Sequence, residues 1–389
     1  MSIINVPEKP PNPPTELGRL RVLSSTAGIR VSPLALGGGN IGQAWNKDWG
    51  SMTKEGAFDL LDAYFEAGGN FIDTANEYQD EESEIWIGQW MASHKIRDRL
   101  VVATKYTSNY ALNSSGLSAG QTANHGGNHR RSLHMSVRDS LRKLQTDYID
   151  ILYLHWWDFM SSIEEVVDSL HLLVQQGKVL YLGVSDTPAW IVSAANTYAK
   201  LQGKTQFSVY TGRWSLMTRD FEREILPMAR AFGMALAPWG VLGGGKLQSG
   251  KAVEEREKSG ETLRPYGGGR RTEEEVKVAE ALERVARQHG VESTTQIALA
   301  YVRRKAADYG VHNVFPVVGG RKVEQLRDNI AALSVRLTDE QVRELEGVRA
   351  FDMGFPHTFI GEDPNVTGVL PRIMRNTVYM EFPGAVRRS

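Results

Sequence analysis

Eight short apolar segments, each followed by a stretch of helical periodicity, recur along residues 34–333. Leu34–Leu36, Asn70–Ile72, Leu100–Thr104, Tyr148–Leu154, Val179–Val184, Gln206–Tyr210, Met234–Ala237 and Val314–Val318 read as strands. Apolar residues three and four apart fill the intervals, as with Phe58, Leu61 and Phe65 in Lys54–Ala67. Strand-then-helix units repeated in one direction impose a parallel sheet with right-handed crossovers. At this length the natural solution is an α/β fold of the closed (β/α)8 TIM barrel type; an open doubly wound sheet with a second domain is the alternative. One domain is expected over residues 19–350, opened by an N-terminal β-hairpin from Arg19–Leu23 and Ile29–Ser32. A flexible arm, residues 1–18, precedes it. An extra C-terminal helix over Asp339–Arg349, started by a Thr338/Gln341 capping box, and a tail, residues 351–389, packing on or near the barrel, follow.

Charge adds exclusions. The 45 basic and 46 acidic residues nearly cancel, which leaves no footprint for nucleic acid or an anionic membrane surface. The chain has no cysteine, which excludes disulfides and thiolate metal sites and suits a cytoplasmic protein. Its Pro-rich first residues lack the pattern of a signal peptide, and no apolar run approaches the ~20 residues of a membrane span. The expected partner is a small molecule, and no motif sets an oligomeric state.

Two glycine runs imitate phosphate loops. Gly37-Gly38-Gly39-Asn40-Ile41-Gly42 follows a strand, but a dinucleotide turn opens directly into a helix, and Gln43–Thr53 is polar and loop-like. Gly240–Lys246 is followed by Leu247 where a magnesium-binding hydroxyl is required. Both read as loops over a barrel mouth, within which glycines let backbone amides approach a phosphate.

A barrel carries its site at the C-terminal strand ends. There the second, third and fourth strands end on Asp73, Lys105 and His155, with Tyr78 five residues beyond Asp73. Singly, these read as a helix cap, a rim charge, a core histidine and a surface aromatic. Placed around one mouth they form a chemical set. A lysine cation eases proton loss from a phenol. Asp73 pairs with Lys105 and offsets its desolvation. Neutral His155 donates a hydrogen bond to a carbonyl oxygen. Such a set protonates a carbonyl oxygen while a cofactor delivers hydride, since no side chain does so.

Phe71-Ile72-Asp73-Thr74-Ala75-Asn76-Glu77-Tyr78, Ala103-Thr104-Lys105 and Leu154-His155-Trp156-Trp157-Asp158 resemble the aldo-keto reductase signature, in order and over about residues 19–350. The resemblance implies a catalytic tetrad of Asp73, Tyr78, Lys105 and His155, with Tyr78 as general acid. It also implies that Ser185, Asp186 and Gln206 hold a nicotinamide carboxamide, with Trp239 stacked on the ring. Many members have Asn where this chain has Asp186. By the same resemblance Gly319 and Arg321 approach an adenosine 2′-phosphate, and Gln325, Asp328 and Asn329 surround the adenine, which favours NADP (NADPH) over NAD. The Arg321-Lys322 pair also reads as solvated charge beside a helix cap. Within the family the chain looks most like fungal aryl-alcohol dehydrogenases, with norsolorinic acid reductase-like members beside them.

This implies an NADPH-dependent oxidoreductase of aryl aldehydes or alcohols, or a ketone reductase of aromatic polyketides. Trp45, Trp49, Tyr106, Trp156 and Trp157 are candidates for a flat aromatic pocket or for loop packing. A cofactor-binding regulatory subunit with little turnover is the reading from another class. A metal-dependent hydrolase is disfavoured, because His155 is the one histidine at an expected strand end.

Overall fold

The computed structural model describes residues 10–46, 52–258 and 270–386. An antiparallel hairpin, β1 (Arg21–Ser24) and β2 (Ala27–Val31), precedes eight parallel strands. These are β3 (Ala35–Gly37), β4 (Phe71–Asp73), β5 (Val101–Tyr106), β6 (Ile149–Leu154), β7 (Val179–Ser185), β8 (Phe207–Arg213), β9 (Ala235–Trp239) and β10 (Val317–Val318). Sheet order is β10-β3-β4-β5-β6-β7-β8-β9, so sequence neighbours pair throughout. A parallel bridge between Leu236 and Val314 closes the ring, with Phe315 N–H donating to Leu236 O at 2.8 Å. The fold is the expected (β/α)8 barrel. Every residue of β5 and β6 is buried, as befits parallel strands covered on both faces.

Around the sheet lie α1 (Lys54–Glu66), α2 (Glu82–His94), α3 (Arg130–Leu144), α4 (Ile163–Gln175), α5 (Ala189–Leu201) and α6 (Ile225–Ala231). Then come α7 (Gly250–Lys258), α8 (Glu273–Gln288), α9 (Thr294–Asp308), α10 (Val323–Ala331) and α11 (Asp339–Gly347). Side-chain oxygens of Thr53 and Ser162 cap α1 and α4, and Thr272 and Thr338 form full capping boxes on α8 and α11. One core lies between sheet and helices. A second fills the barrel: Phe71, Ala103, Ile151, Tyr153, Val209 and Phe315. Leu23, Ala27 and Val31 of the hairpin join it, and Thr26 Oγ1 meets Ser208 Oγ at 2.9 Å, so the hairpin plugs the N-terminal end.

Four expectations change. The arm is anchored before residue 18: Leu17 is fully buried in a 3₁₀ turn, and Thr15 Oγ1 donates to Ala67 O at 2.7 Å. The sixth barrel strand runs on through Thr211, Gly212 and Arg213, past the apolar run that marks it in the sequence. The seventh includes Trp239. The long loop after it contains α7, whose weak apolar face gave no helical signal. Trp49 and the glycines 267–269 lie outside the described residues.

Both glycine runs form 3₁₀ turns, Gly38–Asn40 and Gly243–Gly245, rather than helix starts. Lys246 is buried and paired with Glu275 at 3.3 Å, so it takes no part in a phosphate loop. The tail runs along α6, with Arg230 bonded to Asp363 at 2.9 Å and His357 Nε2 2.9 Å from Glu224. Among the described residues no helix is long and apolar enough to cross a membrane.

Candidate active site

Side chains alternate faces along a strand, so the interior core fixes which residues reach the mouth. Phe71 on β4, Val101 and Ala103 on β5, and Ile151 and Tyr153 on β6 all point inward. Two residues further on in each case come Asp73, Lys105 and His155, and all three line one cavity. Lys105 Nζ donates to Asp73 Oδ1 at 2.5 Å and to Thr74 O at 2.7 Å, both side chains being about 95% buried. Tyr78 joins them from the following loop. Its ring centroid lies 5.0 Å from Lys105 Nζ and 5.9 Å from the His155 ring, which it meets edge-on.

Burial is the largest influence on the acids and bases here. It raises the Asp73 carboxyl above its usual range, against the opposing pull of Lys105. Burial, then the Lys105 charge, pushes His155 well below its usual value, so the imidazole is neutral near pH 7. A neutral imidazole beside a lysine cation is a hydrogen-bond donor that adds no second charge.

The loop that carries Tyr78 is held in an unusual shape. Gln79, Asp80 and Glu81 all have positive φ, at 56°, 50° and 81°. Non-glycine residues there cost about 1 kcal/mol or more each, so neighbours must compensate. Gln79 is buried, donates to Gly39 O at 2.8 Å and accepts from Trp45 N–H at 2.9 Å. Asp80 accepts from the Trp45 indole at 2.9 Å, and Glu82 from Gln43 N–H at 2.6 Å. From behind, Lys143 on α3 donates to Asn76 O at 2.9 Å and pairs with Glu84 at 2.7 Å and Glu81 at 2.9 Å.

The cavity, about 460 Å3, extends from Trp45 and Tyr78 past Ser185 and Trp239 to Arg321 and Asn329. Ser185 Oγ and the Trp239 indole both donate to Asp186 Oδ2, at 2.7 and 3.1 Å. Asp186 stands at φ 40°, and burial raises its carboxyl pKa. At the far end Gln325 Oε1 accepts from Arg321 N–H at 2.8 Å, and buried Asn329 donates to Gly319 O at 3.4 Å. Asp328, though in the lining, is engaged by Ser293 at 2.5 Å and Gln296 at 2.8 Å.

Of the candidate catalytic and cofactor-binding residues, Gln206 alone stands apart from the cavity. It lies in the coil leading into β8, at the end opposite the mouth, five residues or roughly 16 Å of strand from Thr211. Thr211 and Arg213, inward with Val209, line the cavity in its place. The apolar run had marked where β8 starts, not where it ends. Of the candidate aromatics, Trp45 and Trp156 line the cavity. Tyr106 is fully buried with its hydroxyl on Asn128 O, and Trp157 packs on the outer core. Lys143, Glu84, Glu77, Thr211 and Arg213 carried no signal by themselves; only the strand period, carried three residues further, would have found the last two.

The aldo/keto reductase family model matches residues 33–350. A Saccharomyces cerevisiae protein provisionally named aryl-alcohol dehydrogenase is 67% identical over 96% of this chain and 97% of its own. An NADP(+) aryl-alcohol dehydrogenase of Phanerodontia chrysosporium is 50% identical over 92% and 93%. The norsolorinic acid reductase of Aspergillus flavus is 49% identical over 91% and 87%. An alcohol and aldehyde oxidoreductase is what this barrel, this mouth and these relatives have in common, and the chain belongs to the aldo/keto reductase family.

Proposed function

We propose that the chain reduces aryl aldehydes, and oxidises the corresponding alcohols, with NADP(H), Tyr78 being the proton donor. The observation that carries this reading is the convergence of Tyr78, Lys105, Asp73 and neutral His155 on one cavity.

The lining suits the cofactor. Gly240, Gly243, Gly244 and Gly245 all take positive φ along the wall, where a side chain would be strained and backbone groups face the cavity closely. Arg321 precedes the N-terminus of α10, a donor set matched to a phosphate monoester. Ser185, Asp186 and Thr211 stand where they can hold a carboxamide, and Trp239 offers an indole face. When bound, the reduced nicotinamide supplies hydride to the carbonyl carbon.

The chain's own residues handle the proton. His155 donates to the substrate carbonyl oxygen and orients it toward Tyr78. Tyr78 Oη gives that oxygen its proton, and the phenolate left behind faces the Lys105 cation. Asp73 and Thr74 O fix the ammonium, so it does not swing into solvent. Trp45 meets the Tyr78 ring edge-on at 6.2 Å and Trp156 lies 4.5 Å from the His155 ring, two walls suited to a flat ring.

The test is a panel of aromatic aldehydes and ketones with NADPH and NADH, followed by absorbance, alongside Tyr78→Phe. Turnover with aldehydes and NADPH, lost about 10²–10⁴-fold in Tyr78→Phe with cofactor affinity kept, is the expected result. Normal turnover by Tyr78→Phe would remove the proton-donor assignment, and preference for NADH would remove the 2′-phosphate site.

A further inference from the structure

Glu77 immediately precedes Tyr78, lines the cavity, and takes no part in the chemistry above. Its side chain is 27% exposed, and Oε1 stands 3.6 Å from His155 Nδ1. That nitrogen is fully buried and has no hydrogen-bond partner. Buried Ser108 Oγ lies near enough to favour the Glu77 charge, yet it makes no hydrogen bond of normal geometry. A small closure of the carboxyl, about half an ångström, would bring Oε1 within hydrogen-bond distance of Nδ1.

We propose that Glu77 is a positioning residue for His155: its protonated carboxyl donates to Nδ1 and holds the imidazole as the tautomer with its proton on Nε2. This rests on the carbonyl-reduction reading, in which His155 must donate to an oxygen. With Nδ1 turned inward to Glu77, Nε2 is the ring nitrogen on the cavity side. An ionised Glu77 accepts hydrogen bonds only, so it would draw the imidazole proton to Nδ1. Nε2 would then present a lone pair to the carbonyl oxygen, and the donor would be lost. The protonated carboxyl reverses both ends of the ring.

The surroundings favour that form. Burial raises the Glu77 pKa, and Asp80 on the same loop adds to it. Ser108, from the loop after β5, and the Lys105 ammonium oppose, but Lys105 is already engaged by Asp73. Tyr78 and His155 are also titratable neighbours in the cavity wall, and burial and the Lys105 charge depress the His155 pKa. Glu77 therefore sets a pH limit on carbonyl reduction: as it ionises, the productive tautomer is lost.

The experiment has one readout that needs no turnover. In 15N-histidine-labelled protein, with the signals assigned by His155→Asn, His155 is expected to show an acceptor Nδ1 and a protonated Nε2 at acidic pH. The two exchange character as the pH rises and Glu77 ionises. In Glu77→Gln the amide donor keeps the Nε2–H form at every pH. In turnover, Glu77→Leu should lower kcat about tenfold with little change in KM, and Glu77→Gln should recover most of that loss and flatten the profile. A proton on Nδ1 of the wild type at acidic pH, or an unchanged His155 titration in Glu77→Gln, would overturn the proposal. Absent turnover with the expected tautomer would instead count against the carbonyl-reduction reading alone.

Discussion

Lys143 on α3 donates to the carbonyl of Asn76, two residues before Tyr78, across 2.9 Å. Its side chain is 3% exposed and also meets Glu84 and Glu81, at 2.7 and 2.9 Å. Glu84 in turn accepts from Thr104 Oγ1 at 2.6 Å, one residue before Lys105. Two helices and the Tyr78 loop therefore meet on a single buried ammonium, and Glu84 links it to the strand that carries Lys105. Both lysines that matter to the site act on the same loop, Lys105 from the cavity and Lys143 from behind.

Removing that ammonium leaves Glu84, fully buried, with an uncompensated charge. Lys143→Met is expected to lose about 3–5 kcal/mol of stability in denaturant unfolding. Lys143→Met combined with Glu84→Gln should recover part of the loss, because a buried pair removed together costs less than one broken. In both variants kcat should fall more than KM rises, since the loop that presents Tyr78 has lost its rear support.

The cavity-side pair behaves differently in kinetics. Asp73→Asn leaves Lys105 bonded to Thr74 O but without its counter-ion, in a site where both partners are about 95% buried. A kcat loss of at least tenfold is expected, with cofactor affinity kept, because Asp73 lies at the cation and not along the adenosine end. Stopped-flow hydride transfer measured beside cofactor titration separates the two. A variant that loses cofactor affinity first would assign Asp73 to binding instead.

Acid stability carries the signature of His155. Burial and Lys105 place its folded pKa well below the unfolded one, near 6.5. As pH falls below about 6.5 the unfolded chain takes up a proton that the folded chain refuses, so stability is lost on acidification. The slope for one such group is about 1.4 kcal/mol per pH unit, continuing down to the folded pKa. His155→Asn should remove that component. Unfolding free energies measured from pH ~7 to ~5 should therefore converge for the two proteins as pH falls, if His155→Asn is the less stable at neutral pH.

On the proposed NADP(H) reading, cofactor choice turns on Arg321. A charge-assisted hydrogen bond to a phosphate monoester is worth about 1.5–3 kcal/mol, so Arg321→Gln should weaken NADPH roughly 10- to 100-fold. NADH affinity should hardly move. Equal losses for both cofactors would place the guanidinium on a feature that they share.

How much of this was legible in the sequence follows from where each interaction sits. Asp73, Lys105 and His155 are readable because each ends a short apolar strand, and strand period places strand-end residues of one parity at one mouth. Thr211 was not readable, because β8 continues for three residues beyond its apolar run, and the polar continuation looks like loop. Lys143 sits in Leu141-Arg142-Lys143-Leu144, where a charge on a helix that is polar overall reads as solvated. Its burial depends on Glu81 and Glu84, some sixty residues away. Tyr106 and Trp157 show the converse, aromatic residues near the mouth that turn into the packing.

Gly88 is a case in which local and tertiary rules give opposite signs. It lies inside α2, where replacing glycine by alanine ordinarily gains up to about 1 kcal/mol of helix propensity. A Cβ on Gly88, however, would stand 2.2 Å from the carbonyl oxygen of Lys143 and 2.7 Å from Leu144 Cα. Both are backbone atoms at the end of α3 and cannot rotate away. The helices must part, and overpacking of this kind costs about 1–3 kcal/mol or more. Parting them also pulls Lys143 from Glu84, which is on α2, and from Asn76. Gly88→Ala should therefore lower the unfolding free energy and lower kcat together, where a substitution acting through helix propensity alone would raise stability and leave turnover unchanged.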